Sequence, residues 1–477
     1  MWVLKKLSDI YPGAADVAVK DIKINSKDVT KGDIFLCTMG VTADRHLFIE
    51  DAVKNGAAAV VVSRDVKDPG VPVVKVPDTN KEIFHLAGEL YSYPQNELKM
   101  IGVTGTNGKT SVAEMVYDFL GKRCAYLGTN GKKYNGKTER IRNTSPDVDR
   151  SYKYFREFLD GGCDTCVSEI SSEAMYWHRL DGIRYDICVL TNITEDHLNI
   201  HKTVENYAEC KANAFSLVKP DGFSILYSGS LYLDKVMEKA NGTVLTYGYK
   251  KSDDLYISRC DVKNGLSFSF VYGGKEYSVN TKLHGSFNAL NIAAAFLVSI
   301  KLGVPLETLI KKAEALNPVE GRCEFLHFGQ NFNIVLDYAH TEDALNKVLD
   351  DLNLSKNGRI VTVTGSAGGR EKEKRPRIGK IVLEKSDFVI FTEDDPRNEN
   401  VYSIIRDMLK NADGKSNYTV IGDRADAIRY AVLTARKNDT VLIAGKGRDN
   451  YMAVGNEYIP YCDYDVIEKC FKKPSLL

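Results

Sequence analysis

Short apolar runs recur along the chain and alternate with segments of helical periodicity, the rhythm of an α/β protein. Three blocks follow from that pattern. In the first, residues 56–62 (Gly-Ala-Ala-Ala-Val-Val-Val) read as an apolar strand after a helix that ends at a Gly cap, and residues 71–76 as a second strand. Residues 93–96, Tyr-Pro-Gln-Asn, read as the exit linker. The second block opens with a strand at 99–103, a Gly-rich loop and a helical pattern over 111–120. Buried strands are then expected at 166–168, 187–191 and 224–227, and a helix rich in Ala and Leu at 288–301. Pro318 and Gly321 interrupt the pattern. Beyond them, strands at 333–336, 360–364, 388–392 and 440–444 alternate with helical stretches, as in a Rossmann-like unit.

The expected fold class is therefore α/β with three domains. These are a small N-terminal α/β domain over 1–97, a central parallel-sheet P-loop domain over 98–318 and a C-terminal Rossmann-like domain over 319–477. A length of 477 residues agrees with that division.

Composition removes several classes of function. Acidic and basic residues balance at 64 each, so nothing favours a nucleic-acid partner. Residues 1–9 lack the apolar run of a signal peptide and no later stretch could span a bilayer, which implies a cytoplasmic protein without membrane insertion. Ten cysteines are scattered without a framework, and the single C-x-x-C, Cys163 to Cys166, has no second ligand pair for zinc; packing thiols are expected.

The loop Gly105-Thr106-Asn107-Gly108-Lys109-Thr110 carries the chemistry of a phosphate grip. Backbone amides in a Gly turn and a helix N-terminus attract anions, Lys109 adds a point charge, and Thr110 offers a hydroxyl to magnesium. The strict Walker A spacing is missed by one residue, because Val103 stands where a Gly is required. Downstream, Glu169 and His197 each follow an expected strand, where open α/β sheets place ligands. Taken alone, His197 reads as a hydrogen-bonded structural residue.

The string at 102–110, Gly-Val-Thr-Gly-Thr-Asn-Gly-Lys-Thr, resembles the ATP-binding loop of the Mur ligase family, whose members form amide bonds in peptidoglycan precursors and whose relatives include folylpolyglutamate synthetases. The resemblance implies magnesium ligands at Thr110, Glu169 and His197, and a carbamylated lysine at Lys211, fourteen residues beyond His197. With Lys109 these form the expected catalytic set. It further implies nucleotide contacts from Asn288, Asn291, Arg322, Asp337 and His340. Without the resemblance, Asn291 reads as an ordinary polar helix residue and Asp337 as a helix N-cap.

Both ends point to the MurE branch. Residues 24–35 resemble its UDP-binding start, with Ser26 at the uridine-contacting serine. Thr144, Ser145, Ser171 and Arg179 match positions that grip the muramoyl dipeptide. Arg370, Asp394, Asp395, Arg397, Gly445 and Asp449 match its amino-acid pocket, where an arginine forks onto the distal carboxylate of meso-diaminopimelate. The implied reaction is ATP-driven addition of a diamino acid, meso-diaminopimelate or otherwise lysine, to UDP-MurNAc-L-Ala-D-Glu through an acyl phosphate, by a monomeric enzyme.

Several positions depart from the family. Asp395 stands for the usual Asn, adding a charge suited to an ammonium, and Gly445-Lys-Gly-Arg-Asp449 stands for Gly-Lys-Gly-His-Glu. Glu173 stands for His, Trp177 for a substrate-contacting Gln, and Asn25-Ser-Lys27 for Asp-Ser-Arg. The departures cluster in substrate contacts. They leave open a ligase acting on a different carboxylate outside the cell wall. A non-catalytic nucleotide-binding scaffold would have lost Lys109, Glu169, His197 or Lys211, and all four are present.

Overall fold

The computed structural model describes residues 5–40, 43–141, 143–263 and 265–472, so residues 1–4 of the N-terminal segment read above lie outside it. The chain groups into two compact units, one of residues 1–102, 120–188 and 217–222, the other of 103–119, 189–216 and 223–477.

The first unit begins with a four-stranded parallel sheet, Ile22–Lys23, Ile34–Leu36, Ala59–Val62 and Val73–Lys75 in that order. Its apolar run at 59–62 is buried throughout, and the helix Ile49–Lys54 before it gives way to Gly56 at a φ of 103°, as the Gly cap requires. The helix Thr79–Tyr91 starts at Asp78, whose carboxylate accepts from the amides of Asn80 and Lys81. The expected linker at 93–96 is instead part of a one-turn helix, Pro94–Glu97, with Pro at its first position and Tyr93 left-handed before it. Further on, Cys124–Gly128 pairs parallel with Thr165–Ile170 and antiparallel with Gly131–Tyr134, which pairs with Lys137–Glu139.

In the second unit, Val218–Tyr227 pairs over its last five residues with Thr243–Gly248, and a meander of Leu255–Asp261, Leu266–Tyr272 and Lys275–Thr281 continues the sheet. The meander is absent from the sequence reading. The helix Phe287–Lys301 is apolar nearly all round and correspondingly buried.

The C-terminal six-stranded sheet has the order Glu324–Leu326, Asn333–Asp337, Thr440–Ala444, Ile360–Thr364, Phe388–Phe391 and Tyr418–Val420. Only the first strand is antiparallel. Alternate strand residues feed two cores. Val335, Leu442 and Val389 meet the helices Glu342–Ser355 and Arg375–Lys385, while Ile334, Ile443 and Ile390 meet Arg424–Thr434 and Asp463–Phe471. Helices on both faces of a mainly parallel sheet give the expected Rossmann-like architecture. No helix among the described residues is long and apolar enough to cross a membrane. Burial pushes the thiols of Cys163 and Cys166 up, and both are packed in the interior as expected.

Candidate functional site

The strand Lys99–Thr104 delivers the phosphate loop to the start of the helix Lys109–Leu120, with Gly105 and Gly108 at φ of 145° and 89°. A side chain at Gly105 would collide with the Thr191 hydroxyl and the Asn192 backbone, so only glycine lets these segments touch. The contact is tight: the amides of Thr106 and Asn107 donate to the Asn192 carbonyl and Oδ1 at 2.8 and 3.0 Å. Thr191 Oγ1 and Asn192 Nδ2 donate back to the Asn107 carbonyl at 2.6 and 2.9 Å. Two amides expected to face phosphate are thus engaged by Asn192. An anion would meet the helix end beside Lys109, whose Nζ donates to the carbonyls of Gly105 and Thr106 at 3.0 Å each.

Lys211 reaches the same loop from the helix Val204–Ala212, which Thr203 caps through its hydroxyl. Tyr207 and Lys211 share a helix face, one turn apart. Tyr207 packs its hydroxyl 3.1 Å from Thr106 Oγ1, and Lys211 Nζ lies over the Tyr207 ring and donates to the Gly105 carbonyl at 2.8 Å. Lys211 is 1% exposed. Burial, reinforced by the Lys109 charge, pulls its ammonium well below the ordinary lysine range, in the direction of the neutral amine.

His197 begins the short helix Leu198–His201 with a left-handed backbone, φ 54°, an uncommon conformation for this residue type. Burial, assisted by the Arg370 and Lys109 charges and opposed by Asp196, pushes its imidazole down to about 4. It is therefore neutral at physiological pH, the state that a metal ligand requires. The adjoining Asp196 carboxylate lies 3.6 Å from His197, 3.8 Å from His340 and 3.6 Å from Lys374.

Beside the loop lies a cleft lined by Asn107, Gly108, Asn291, Arg322 and Asp337, with Tyr227, Tyr247, Phe287 and Leu290 as apolar walls. Its mix of flat apolar walls and convergent polar groups suits a nucleotide. Asn288 is not among the lining residues; it accepts from Asn291 Nδ2 at 2.9 Å and so holds that side chain. Asp337 ends the strand Asn333–Asp337, and the N-cap of the following helix is Thr341, in place of the expected Asp337. Asp337 instead accepts from the Cys323 and Ala339 amides at 2.5 and 2.7 Å, fixing the turn that carries Arg322. Arg322 donates to the Thr110 hydroxyl at 3.2 Å. His340 turns its Nδ1 to the Tyr338 carbonyl, 2.8 Å away.

The second unit also gathers the expected amino-acid residues. Asp395 and Arg397 flank Pro396 with left-handed backbones, φ 45° and 49°. The turn is pinned by Gly368, whose amide donates to the Asp395 carbonyl at 3.0 Å and whose own carbonyl accepts from Arg397 Nη1 at 2.6 Å. Burial raises the Asp394 carboxyl and pushes that of Asp449 up to about 6. Gly445 has φ 120° and leaves no room for a side chain beside Asp394. Arg370 is half-buried one residue past Gly369.

In the first unit, Glu169 is 2% exposed in the strand Thr165–Ile170. Its Oε1 accepts from the Tyr126 hydroxyl and the Thr129 amide at 2.7 and 2.8 Å, and its Oε2 from the Thr129 hydroxyl at 3.1 Å. Ser145 Oγ donates to the Glu169 carbonyl at 2.7 Å and accepts from the Ser171 amide at 3.0 Å. Thr144 Oγ1 is 3.1 Å from Thr129 Oγ1, and Arg179 reaches the Ser145 carbonyl at 3.5 Å and Asp147 at 2.8 Å. Three of these expected substrate residues, Ser145, Ser171 and Arg179, are thus linked through Ser145, which bonds the Glu169 backbone, while Thr144 adjoins Thr129 on the Glu169 carboxylate. Ser26 stands apart from them in the turn Ser26–Asp28, 7% exposed, its carbonyl accepting from Asn55 Nδ2 at 2.9 Å.

Sequence reasoning missed Asn192, Asp196 and the aromatic walls Tyr227 and Tyr247. The first two lie just before His197, but only the grip of Asn192 on the loop and the place of Asp196 among His197, His340 and Lys374 reveal what they do.

Comparison with known proteins gives the family. The Mur ligase family catalytic domain matches residues 18–89, the Mur ligase middle domain 103–299, and the Mur ligase glutamate ligase domain 321–447. The UDP-N-acetylmuramoyl-L-alanyl-D-glutamate--2,6-diaminopimelate ligase of Bacillus velezensis is 36% identical over 465 residues, covering 94% of each chain. The ligase of the same name from Clostridium tetani is 32% identical and covers 99% of each. A solved structure of an enzyme of that name aligns with a TM-score of 0.67 at 27% identity, over 98% of this chain and 99% of that one. MurF ligase from Thermotoga maritima in complex with ADP aligns at 0.67 and 21% identity, over 95% and 97%, a likeness of fold. The chain belongs to the Mur ligase family.

Proposed function

We propose that this protein is an ATP-dependent ligase that adds meso-diaminopimelate to UDP-MurNAc-L-Ala-D-Glu, in domains divided near residues 97 and 318. The D-glutamyl carboxylate attacks the γ-phosphorus of ATP, giving an acyl phosphate and ADP. The amine of diaminopimelate then attacks the acyl carbon, and inorganic phosphate leaves as the amide forms.

The observation that carries the reading is Lys211, buried against the phosphate loop with its Nζ 2.8 Å from the Gly105 carbonyl. A neutral amine is the form that adds carbon dioxide, losing a proton, and burial moves Lys211 toward it; the resulting carbamate supplies an anion beside the Lys109 charge. The Thr110 hydroxyl, the neutral His197 imidazole and this carbamate are a donor set that fits magnesium, and the resemblance gives Glu169 the same duty. Bound magnesium would screen the charge of the triphosphate during transfer. Lys109 and the N-terminus of its helix hold the β- and γ-phosphates, Arg322 draws them toward Thr110, and Asn291 meets the base in the cleft. Thr144, Ser145, Ser171 and Arg179 receive the dipeptide, and Ser26 the uridine. Arg370, Asp394, Asp395, Arg397, Gly445 and Asp449 form the amino-acid pocket.

Two departures that invited a different acid substrate are absorbed inside the protein. Lys446 takes up the Asp395 charge at 2.7 Å, and Arg448 forks onto Glu324 at 2.6 and 3.0 Å while stacking over Tyr464. Hydroxylamine in place of diaminopimelate tests the mechanism. It should trap the acyl phosphate as a UDP-MurNAc-L-Ala-D-Glu hydroxamate with one ADP released per hydroxamate; ADP release without hydroxamate would refute the intermediate.

A further inference from the structure

Lys446 was not among the residues that the sequence pattern marked as functional, yet it is 1% exposed and points at the turn that carries Arg397. Its Nζ donates to Asp395 Oδ1 at 2.7 Å and stands 3.8 Å from Asp449 Oδ2. The Asp395 oxygen also accepts from the Ala453 amide at 2.9 Å. Ala453 returns the contact with its carbonyl, which accepts from the Arg397 amide at 2.9 Å, and the Arg397 carbonyl accepts from Gly455 at 2.9 Å. The hairpin of Tyr451–Val454 and Glu457–Pro460 therefore holds both ends of a turn with two left-handed non-glycine residues.

A backbone of that kind persists only where its surroundings over-determine it. Lys446 and Ala453 supply that constraint through a single carboxylate oxygen. The pair has an electrostatic effect as well. Asp394, Asp395 and Asp449 bring three carboxylates to the pocket, and Lys446 cancels the one in the turn itself, leaving Arg397 as the turn's outward charge.

We propose that Lys446 is a positioning residue that determines specificity: its ion pair with Asp395 keeps the turn charge-neutral and holds Arg397 ready for a distal carboxylate, so diaminopimelate is chosen over lysine. This rests on the function proposed above. With Lys446 removed, Asp395 presents an uncancelled carboxylate that repels a distal carboxylate and attracts a distal ammonium. With both removed, as in Lys446→Met with Asp395→Asn, the turn is again neutral and the carboxamide oxygen still accepts from Ala453.

The test measures kcat/KM for diaminopimelate and for lysine in the full-length enzyme, with KM for ATP as a control. Lys446→Met should lower the diaminopimelate-to-lysine ratio on the order of 10-fold or more, with KM for ATP unchanged. The double variant should restore the ratio to within about threefold of the unaltered enzyme, and Lys446→Arg should retain it. An unchanged ratio in a folded Lys446→Met, or a double variant that stays unselective, would overturn the proposal. Should Lys446→Met fail to fold, the double variant alone decides. Failure of the unaltered enzyme to use diaminopimelate at all would bring down the proposed function and this inference together, whereas an active enzyme with an unmoved ratio counts against this inference alone.

Discussion

Replacing Asp149 by Asn should stabilise the protein above pH 6 and leave its stability almost unchanged near pH 4. Asp149 lies in the first turn of the helix Val148–Asp160, just after the segment of Thr144 and Ser145, and is 7% exposed. Its Oδ1 has no hydrogen-bond partner among the described residues. Burial, reinforced by Asp147 and only partly offset by Arg150 and Lys23, pushes its carboxyl up to about 6, against about 4 for an exposed aspartate. Between those values the folded chain keeps a proton that the unfolded chain has released. Stability is therefore lost as pH rises from about 4 to about 6, and the deficit stays constant above that. At neutral pH it amounts to roughly 3 kcal/mol. Spread over a folding unit of about 150–250 residues, removing it raises the melting temperature by on the order of 6–12 °C. Circular dichroism melts of both proteins from pH 4.5 to 8 measure the gap. A gap that does not widen with pH, or an Asn variant that melts lower at pH 8, would refute the reasoning.

Three further outcomes follow from the site. Lys211→Ala should abolish amide formation and regain part of it with added short carboxylates; full activity without them would exclude the carbamate. Arg397→Ala should raise KM for diaminopimelate by on the order of 100-fold and far less for lysine, and equal losses would remove its role as a carboxylate clamp. The chain has two tryptophans, Trp2 and Trp177. In a Trp2→Phe variant the half-exposed Trp177, two residues before Arg179, should change its emission on addition of UDP-MurNAc-L-Ala-D-Glu; an unmoved spectrum at saturating ligand would separate that turn from the substrate.

What the sequence made legible was local. The strand, loop and helix from Lys99 to Leu120 announce themselves because one short segment carries the apolar run, the glycines and the helical pattern. The C-terminal strands were equally plain, since buried parallel strands read as continuous apolar runs. Leu266–Tyr272 was overlooked although Leu266, Phe268, Phe270 and Tyr272 share one face, because attention to apolar runs passes over a half-polar strand. Contacts between distant segments were illegible. Asp395 read as a charge suited to an ammonium until Lys446 was seen to take it up, and Asn192 carried no expected role until it was found gripping the phosphate loop. Neither spacing nor residue type encodes such pairings.

The central claim is tested most directly by ADP release in the presence of ATP, magnesium and UDP-MurNAc-L-Ala-D-Glu, with diaminopimelate, lysine and ornithine supplied in parallel. The account predicts release that requires the UDP-linked acid and is fastest with diaminopimelate, accompanied by a product heavier by one diaminopimelate less water. Silence with all three amino acids would contradict it.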